Sequence, residues 1–210
     1  MVTPSSDGKS IETHTGIDVC ISNGKITGFE PASNRVGDGV FDAQQGLVTP
    51  GFVDAHTHLF PPVDRANEFA LRSVKSYKEI AAAGGGILST VRSFRAASCE
   101  DIVVANQPLL QQFLCNGTTT VELKSGYGLT TADEVKSLEA IKTLQAEFAD
   151  RLTIVPTFMG AHAVPPEYKG RTADYVNYIC SDMIPEVRQE SYWGSIFYVL
   201  MGFLSFAIVL

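Results

Sequence analysis

The stretch Leu47-Val-Thr-Pro-Gly-Phe-Val-Asp-Ala-His-Thr-His58 decides how the rest of the chain is read. Phe52 to Ala55 is short and largely apolar, and it reads as a buried strand that ends on two histidines. Residues two apart on a strand point to the same side. His56 and His58 therefore face one point, and two imidazoles on one point suit a divalent metal, zinc or iron. The HxH pattern alone is weak, because it also describes two surface histidines at a strand end. The strand directly before it gives it weight. Two ligands do not hold a catalytic metal, so the remainder of the chain has to supply the others.

Composition limits what else the chain does. At 210 residues it has room for one large domain, or for a small one plus part of a large one. Hydrophobic residues make up 45% and charged residues 19%, ordinary values for a globular protein. The net charge of -7 leaves no basic stripe to neutralise phosphates, which excludes nucleic acid as the main partner. Cys20, Cys99, Cys115 and Cys180 are widely spaced, without a CxxC pair, and the N-terminus is polar rather than a signal peptide. Free thiols in a reducing, cytoplasmic setting follow. The C-terminus differs from the rest: residues 192–210 carry no charge. A helix of that length spans about 28 Å, close to a bilayer core. Taken literally the segment is a membrane anchor; the alternative is that it lies outside the globular fold.

Residues 11 to 48 read as a small β unit. Ile17–Ile21 and Lys25–Phe29 alternate on either side of the turn signal Ser22-Asn23-Gly24. From Phe52 onward strands and helices take turns. A helical pattern over Ala66–Ala83 stops at Gly84-Gly85-Gly86, and a second helix over Ser98–Cys115 has acidic residues at its start and Asn116-Gly117 past its end. Thr118–Leu123 is a β-branched strand followed by the loop Lys124-Ser-Gly-Tyr-Gly128. Thr131–Phe148 is a helix with acidic residues in its first turn. Leu152–Phe158 is another strand, and Thr172–Val187 a helix broken near Pro185. This alternation implies parallel strands with helical crossovers. Three strand ends lead into loops bearing His, Tyr or Arg, the arrangement of a (βα)8 barrel, in which chemistry sits on the loops after the strands. A full barrel takes about 250 residues, so this chain supplies only part of one.

The motif Thr49–His58 resembles the first strand of the metal-dependent amidohydrolase superfamily. Glu122-Leu-Lys-Ser-Gly-Tyr-Gly-Leu129, Thr157-Phe-Met-Gly-Ala-His-Ala-Val-Pro-Pro-Glu-Tyr168 and Ala82-Ala-Gly-Gly-Gly-Ile87 resemble the imidazolonepropionase family within it. The resemblance runs from about residue 15 to about residue 187. It implies an α/β fold in which a small N-terminal β-sandwich portion (residues 1–48) precedes a partial (βα)8 amidohydrolase barrel (49–187). The apolar tail (188–210) falls outside it. It also implies that His56 and His58 are the first two ligands of one divalent metal, zinc or iron. Arg65 and Tyr127 then bind the substrate, and His162 meets the substrate ring or the developing tetrahedral centre. The implied reaction is hydrolysis of the cyclic amide bond of 4-imidazolone-5-propanoate to N-formimidoyl-L-glutamate, in histidine degradation. The full-length parent would be a cytoplasmic enzyme, with homodimers common in the family.

The residue chemistry agrees with these roles. A guanidinium offers a planar fork to a propionate carboxylate, and Arg65 follows the metal motif closely. Without the resemblance, Arg65 reads as a solvated loop arginine, Tyr127 as a packed loop aromatic and His162 as a core histidine. Glu122 and Lys124 flank a strand end and read as supporting rather than catalytic residues. The resemblance further implies a third histidine ligand from a middle strand and an aspartate on the last barrel strand. No histidine follows His162, and the aspartates after it, Asp174 and Asp182, fall within a predicted helix. The expectation is therefore the N-terminal half of such an enzyme with an unrelated tail, inactive by itself. The competing readings are a non-catalytic fragment held on a membrane by residues 192–210, and another amidohydrolase such as a deaminase.

Overall fold

A computed structural model describes residues 1–33, 39–62, 66–76, 79–80, 85–189, 195–199 and 205–208. The chain forms two compact units, Met1–Gly51 and Phe52–Leu210.

The first unit consists of two antiparallel pairs. Strands β1 (Val2–Pro4) and β2 (Ile11–Thr13) form one, and β3 (Ile17–Ser22) and β4 (Lys25–Pro31) the other. The β3–β4 hairpin turns at Asn23 and Gly24 with φ of 52° and 72°. Positive φ at both central residues marks a two-residue turn whose twist matches the strands, which is what the Asn-Gly dipeptide predicts.

The second unit is built on a parallel sheet. Strands β5 (Phe52–His58), β6 (Thr118–Lys124) and β7 (Thr153–Phe158) lie side by side in that order, all parallel. Between β5 and β6 come α1 (Ala66–Leu71), α2 (Ile87–Ala96) and α3 (Cys99–Cys115). Helix α4 (Thr131–Phe148) connects β6 to β7. Ser98 starts α3 with a reciprocal cap: its hydroxyl accepts from Asp101 N at 3.0 Å, and the Asp101 carboxylate accepts from Ser98 N at 3.1 Å. Thr130 caps α4 by accepting from Asp133 N. The core lies between the sheet and these helices. It includes Val121, Leu123 and Ile154 from the strands and Ile102, Leu110, Leu138, Ile141 and Leu144 from the helices, each at most 5% exposed.

Several elements differ from the sequence expectation. Helix α2 was not anticipated, because Ile87–Ala96 follows a glycine run and shows no side-chain cap. The helix expected over Ala66–Ala83 is seen as α1 and a turn through Val74, with helix again at Glu79–Ile80; residues 77–78 and 81–84 lie outside the described residues. The last helical stretch breaks at a π-turn over Ile179–Met183, between α5 (Thr172–Tyr178) and α6 (Ile184–Gln189), rather than at Pro185. Pro185 comes just after the π-turn in an otherwise continuous helical stretch, and without an N–H it cannot bond to the carbonyl four residues back, which suits the widened turn beside it. In the apolar tail the described residues form strands. Strand β8 (Ser195–Val199) pairs parallel with the end of β7, and β9 (Ser205–Ile208) pairs antiparallel with β8. An uncharged run of β-branched and aromatic residues suits a strand as well as a helix, and periodicity does not separate the two. Among the described residues no helix is long and apolar enough to cross a membrane.

Candidate active site

The C-terminal ends of the three parallel strands are in register. His58 stands opposite Lys124, and Lys124 opposite Thr157. Side chains leaving these ends converge. His56 and His58 are on one side of β5, with ring centroids 5.8 Å apart. The loop after β6 carries Tyr127, whose ring lies 5.4 Å from His58 and 5.2 Å from His162. His162, in the turn after β7, stacks on His58 at 4.9 Å with an interplanar angle of 22°. Four side chains singled out from the sequence thus share one place. Arg65, the fifth, lies outside the described residues.

Two glycines make this approach possible. Gly126 has φ of 105°, and a Cβ there would meet Met159 O at 2.9 Å and His162 Cβ at 3.0 Å. A Cβ on Gly128 would meet Asp133 C at 2.6 Å. Any side chain at either position would push the Tyr127 loop away from His162 or from the start of α4.

The surroundings keep the imidazoles of His58 and His162 neutral. Burial brings the pKa of His58 down to about 4, helped by the nearby His162, Lys124 and His56. Burial also lowers His162, against an opposing hydrogen bond to Gly126. His162 Nδ1 lies 3.0 Å from Gly126 O. A carbonyl only accepts, so Nδ1 carries the proton and Nε2 of the neutral ring keeps a lone pair. His58 Nδ1 is buried without a hydrogen-bond partner among the described residues. A neutral imidazole with such an orphaned nitrogen suits a metal cation better than a proton. His56 and His58 therefore fit a metal in chemistry. Among the described residues no group of three or more His, Cys, Asp or Glu is placed to hold one.

Beneath the cluster, Glu122 and Lys124 form an ion pair, with Lys124 2% exposed. Glu122 Oε2 also accepts from Thr57 N at 3.2 Å, tying β5 to β6 beside the histidines. Three residues that sequence reasoning passed over grip the Tyr127 loop: Glu134, Arg95 and Tyr175. Glu134 is an acidic residue in a first helical turn, where it reads as an ordinary response to the helix dipole. Arg95 lies in α2, for which the sequence holds no helix signal, and Tyr175 lies in the helix expected over 172–187, where nothing sets it apart from its neighbours. No local signal marks any of the three.

No protein-family model matches the chain. Among curated proteins it is similar to the imidazolonepropionase of Symbiobacterium thermophilum, 55% identical over 152 residues, which is 72% of this chain and 35% of that protein. The imidazolonepropionase of Ectopseudomonas mendocina is 43% identical over 185 residues, 86% of this chain and 45% of the relative. That of Herpetosiphon aurantiacus is 44% identical over 197 residues, 89% and 46% respectively. The chain spans less than half the length of the curated relatives it matches.

Proposed function

We infer, from the sequence kinship of this chain with the imidazolonepropionases, that it carries part of the active site of a hydrolase of histidine degradation. The whole protein would add water to the ring carbonyl of 4-imidazolone-5-propanoate and break the cyclic amide C–N bond, giving N-formimidoyl-L-glutamate. The parallel strands β5 to β7 and their helices would be the first part of a (βα)8 barrel over residues 49–187, with 1–48 contributing to a β-sandwich. The whole protein would be cytoplasmic, and a homodimer. The observation that supports this reading is the convergence of His56, His58, Tyr127 and His162 beyond the ends of parallel strands, where barrel enzymes keep their chemistry.

In this reading His56 and His58 hold one divalent metal, zinc or iron, with further ligands from outside this chain. When bound, such an ion supplies Lewis acidity toward the amide carbonyl and lowers the pKa of a water. The chain's own residues do the rest. Arg65 takes the propionate carboxylate, Tyr127 covers the ring, and His162 offers Nε2 toward the substrate from a tautomer set by Gly126. The tilted packing of Tyr127 on both His58 and His162 places its ring beside the histidines, where it would contact a bound substrate.

Calorimetric titration of the purified chain with Zn²⁺ tests the reading. Binding that is lost in both His56→Ala and His58→Ala is expected; binding unaffected by either substitution overturns the metal assignment. With the ion present, the chain alone is expected to show no imidazolone hydrolysis above background. Turnover that disappears in His56→Ala would show instead that the ligand set is complete within these residues.

A further inference from the structure

The Tyr127 loop has a property that its sequence does not announce. Its backbone runs between two strands' ends without a ladder of its own, yet its polar groups are taken up by side chains and neighbouring backbone. Ser125 N donates to Thr157 O at 2.9 Å. The amides of Gly126, Gly128 and Leu129 all donate to one side chain, Glu134: Gly126 to Oε2 at 3.0 Å, Gly128 and Leu129 to Oε1 at 2.9 and 2.8 Å. On the carbonyl side, Gly126 O receives His162 Nδ1, Gly128 O receives Arg95 Nε at 2.7 Å, and Leu129 O receives Tyr175 Oη at 3.3 Å.

Glu134 is fully buried, in the first turn of α4. The helix does not need it as a cap, since Thr130 already accepts from Asp133 N. The carboxylate turns back out of the helix and receives the loop. Burying a carboxyl is costly unless donors converge on it, and here donors converge from both sides of Tyr127. The loop it holds is strained at Leu129, a fully buried non-glycine residue with φ of 58°, while Gly126, at φ of 105°, takes a conformation open to glycine. Conformations of this kind persist only where the surroundings over-determine them. Release of the loop would move Tyr127 off His58 and His162, and would take Gly126 O away from His162 Nδ1.

We propose that Glu134 is the positioning residue of this site: through three backbone amides it fixes the Ser125–Leu129 loop, and thereby the pose of Tyr127 over the histidines and the tautomer of His162. Glu134 touches no reacting group; it acts through the loop. The proposal deepens the hydrolase reading and rests on it for the meaning of the pose, while the clamp itself is measurable without substrate or metal.

Amide exchange in the full chain tests it first. The Gly126, Gly128 and Leu129 amides, none of them in a helix or strand, are expected to exchange at least about 100-fold more slowly than in an unstructured peptide. Exchange at open-loop rates overturns the proposal, and this measurement needs no variant to fold. The second arm uses Glu134→Gln, which keeps the volume and replaces one acceptor oxygen with a donor. With ¹⁵N-labelled histidine and ¹³C-labelled tyrosine, wild-type His162 is expected as a single tautomer protonated at Nδ1. In E134Q that signal is expected to move toward a mixture of tautomers and the Tyr127 ring signals to shift, with helix content by circular dichroism unchanged. A folded E134Q whose His162 and Tyr127 signals match wild type overturns the positioning role. A clamp intact by both arms in a chain that fails to bind Zn²⁺ would count against the hydrolase reading and leave the clamp standing.

Discussion

The first 51 residues and the unit that follows them use hydrogen bonds and apolar surface in opposite ways. Met1–Gly51 has regular pairing and a well-formed turn, yet none of its described residues is buried, and Ile11, Ile26 and Phe41 are 75%, 61% and 92% exposed. The unit from Phe52 on has a continuous core in which Ile102, Ile141 and Leu144 are 0% exposed. Local pairing is sufficient to form a hairpin but not to bury one: a two-stranded sheet has no second layer to cover its apolar face. The βαβ units supply that layer with every crossover. It is within that unit that polar groups such as Glu134, Lys124 and the orphaned nitrogen of His58 are held away from water, and there the candidate chemistry lies.

Substitutions in the two regions should separate accordingly. Leu144→Ala, in the core between α4 and the sheet, should cost about 2–5 kcal/mol in denaturant unfolding, since the site is sealed and a cavity remains. A loss under about 1 kcal/mol would mean that this core is far looser than its packing. Tyr175→Phe keeps the ring but removes the hydroxyl whose one proton is shared between Gly160 O at 2.6 Å and Leu129 O at 3.3 Å. Two buried carbonyls lose a donor, and the expected loss is about 1–3 kcal/mol in the same assay. A neutral result would place water at that point.

Acid should act on the second unit as well. His58 has a folded pKa of about 4 against an ordinary value near 6.5. Between those values the unfolded chain takes up a proton that the folded chain refuses, so stability falls as pH drops through that window and the loss is complete below it. The ring is partly open to solvent, which makes the effect smaller than that of a core truncation. Unfolding in the presence of a chelator should show this slope, and His58→Gln should flatten it; an unchanged slope would assign it to other groups. The smallest effect is expected in the first unit. Ile26→Thr, on an exposed strand position, should change stability by less than about 0.5 kcal/mol. A larger loss would show that the residue is covered in solution, and the contrast between the regions would then need redrawing.

Much of this was legible in the chain itself. The Asn23-Gly24 turn, the strand ending on His56 and His58, the Ser98 cap and the 131–148 helix all follow from rules that span a few residues, and those rules operate whatever the rest of the protein does. The burial expected of that strand does not hold: Phe52 and Val53 are 58% and 68% exposed, because burial depends on what packs over a strand and not on its own residues. The motifs around His58, Tyr127 and His162 carried enough pattern to point to one family and one reaction. The elements that were missed depend on contacts distant in sequence. Helix α2 has no cap of its own, and the first strand of the tail, β8, takes its parallel pairing from β7, so neither leaves a local signature.

The amino-acid sequence by itself determined the alternation of strands and helices, the identity of the imidazoles and aromatic that meet beyond the strand ends, and the glycines that let a loop approach them. Only the tertiary structure decided which polar groups support that site. Glu134, Arg95 and Tyr175 reach the Tyr127 loop across 5, 33 and 46 positions of chain. Their significance comes from burial and from donors converging on a single carboxylate, and these arise when the strands and helices pack together.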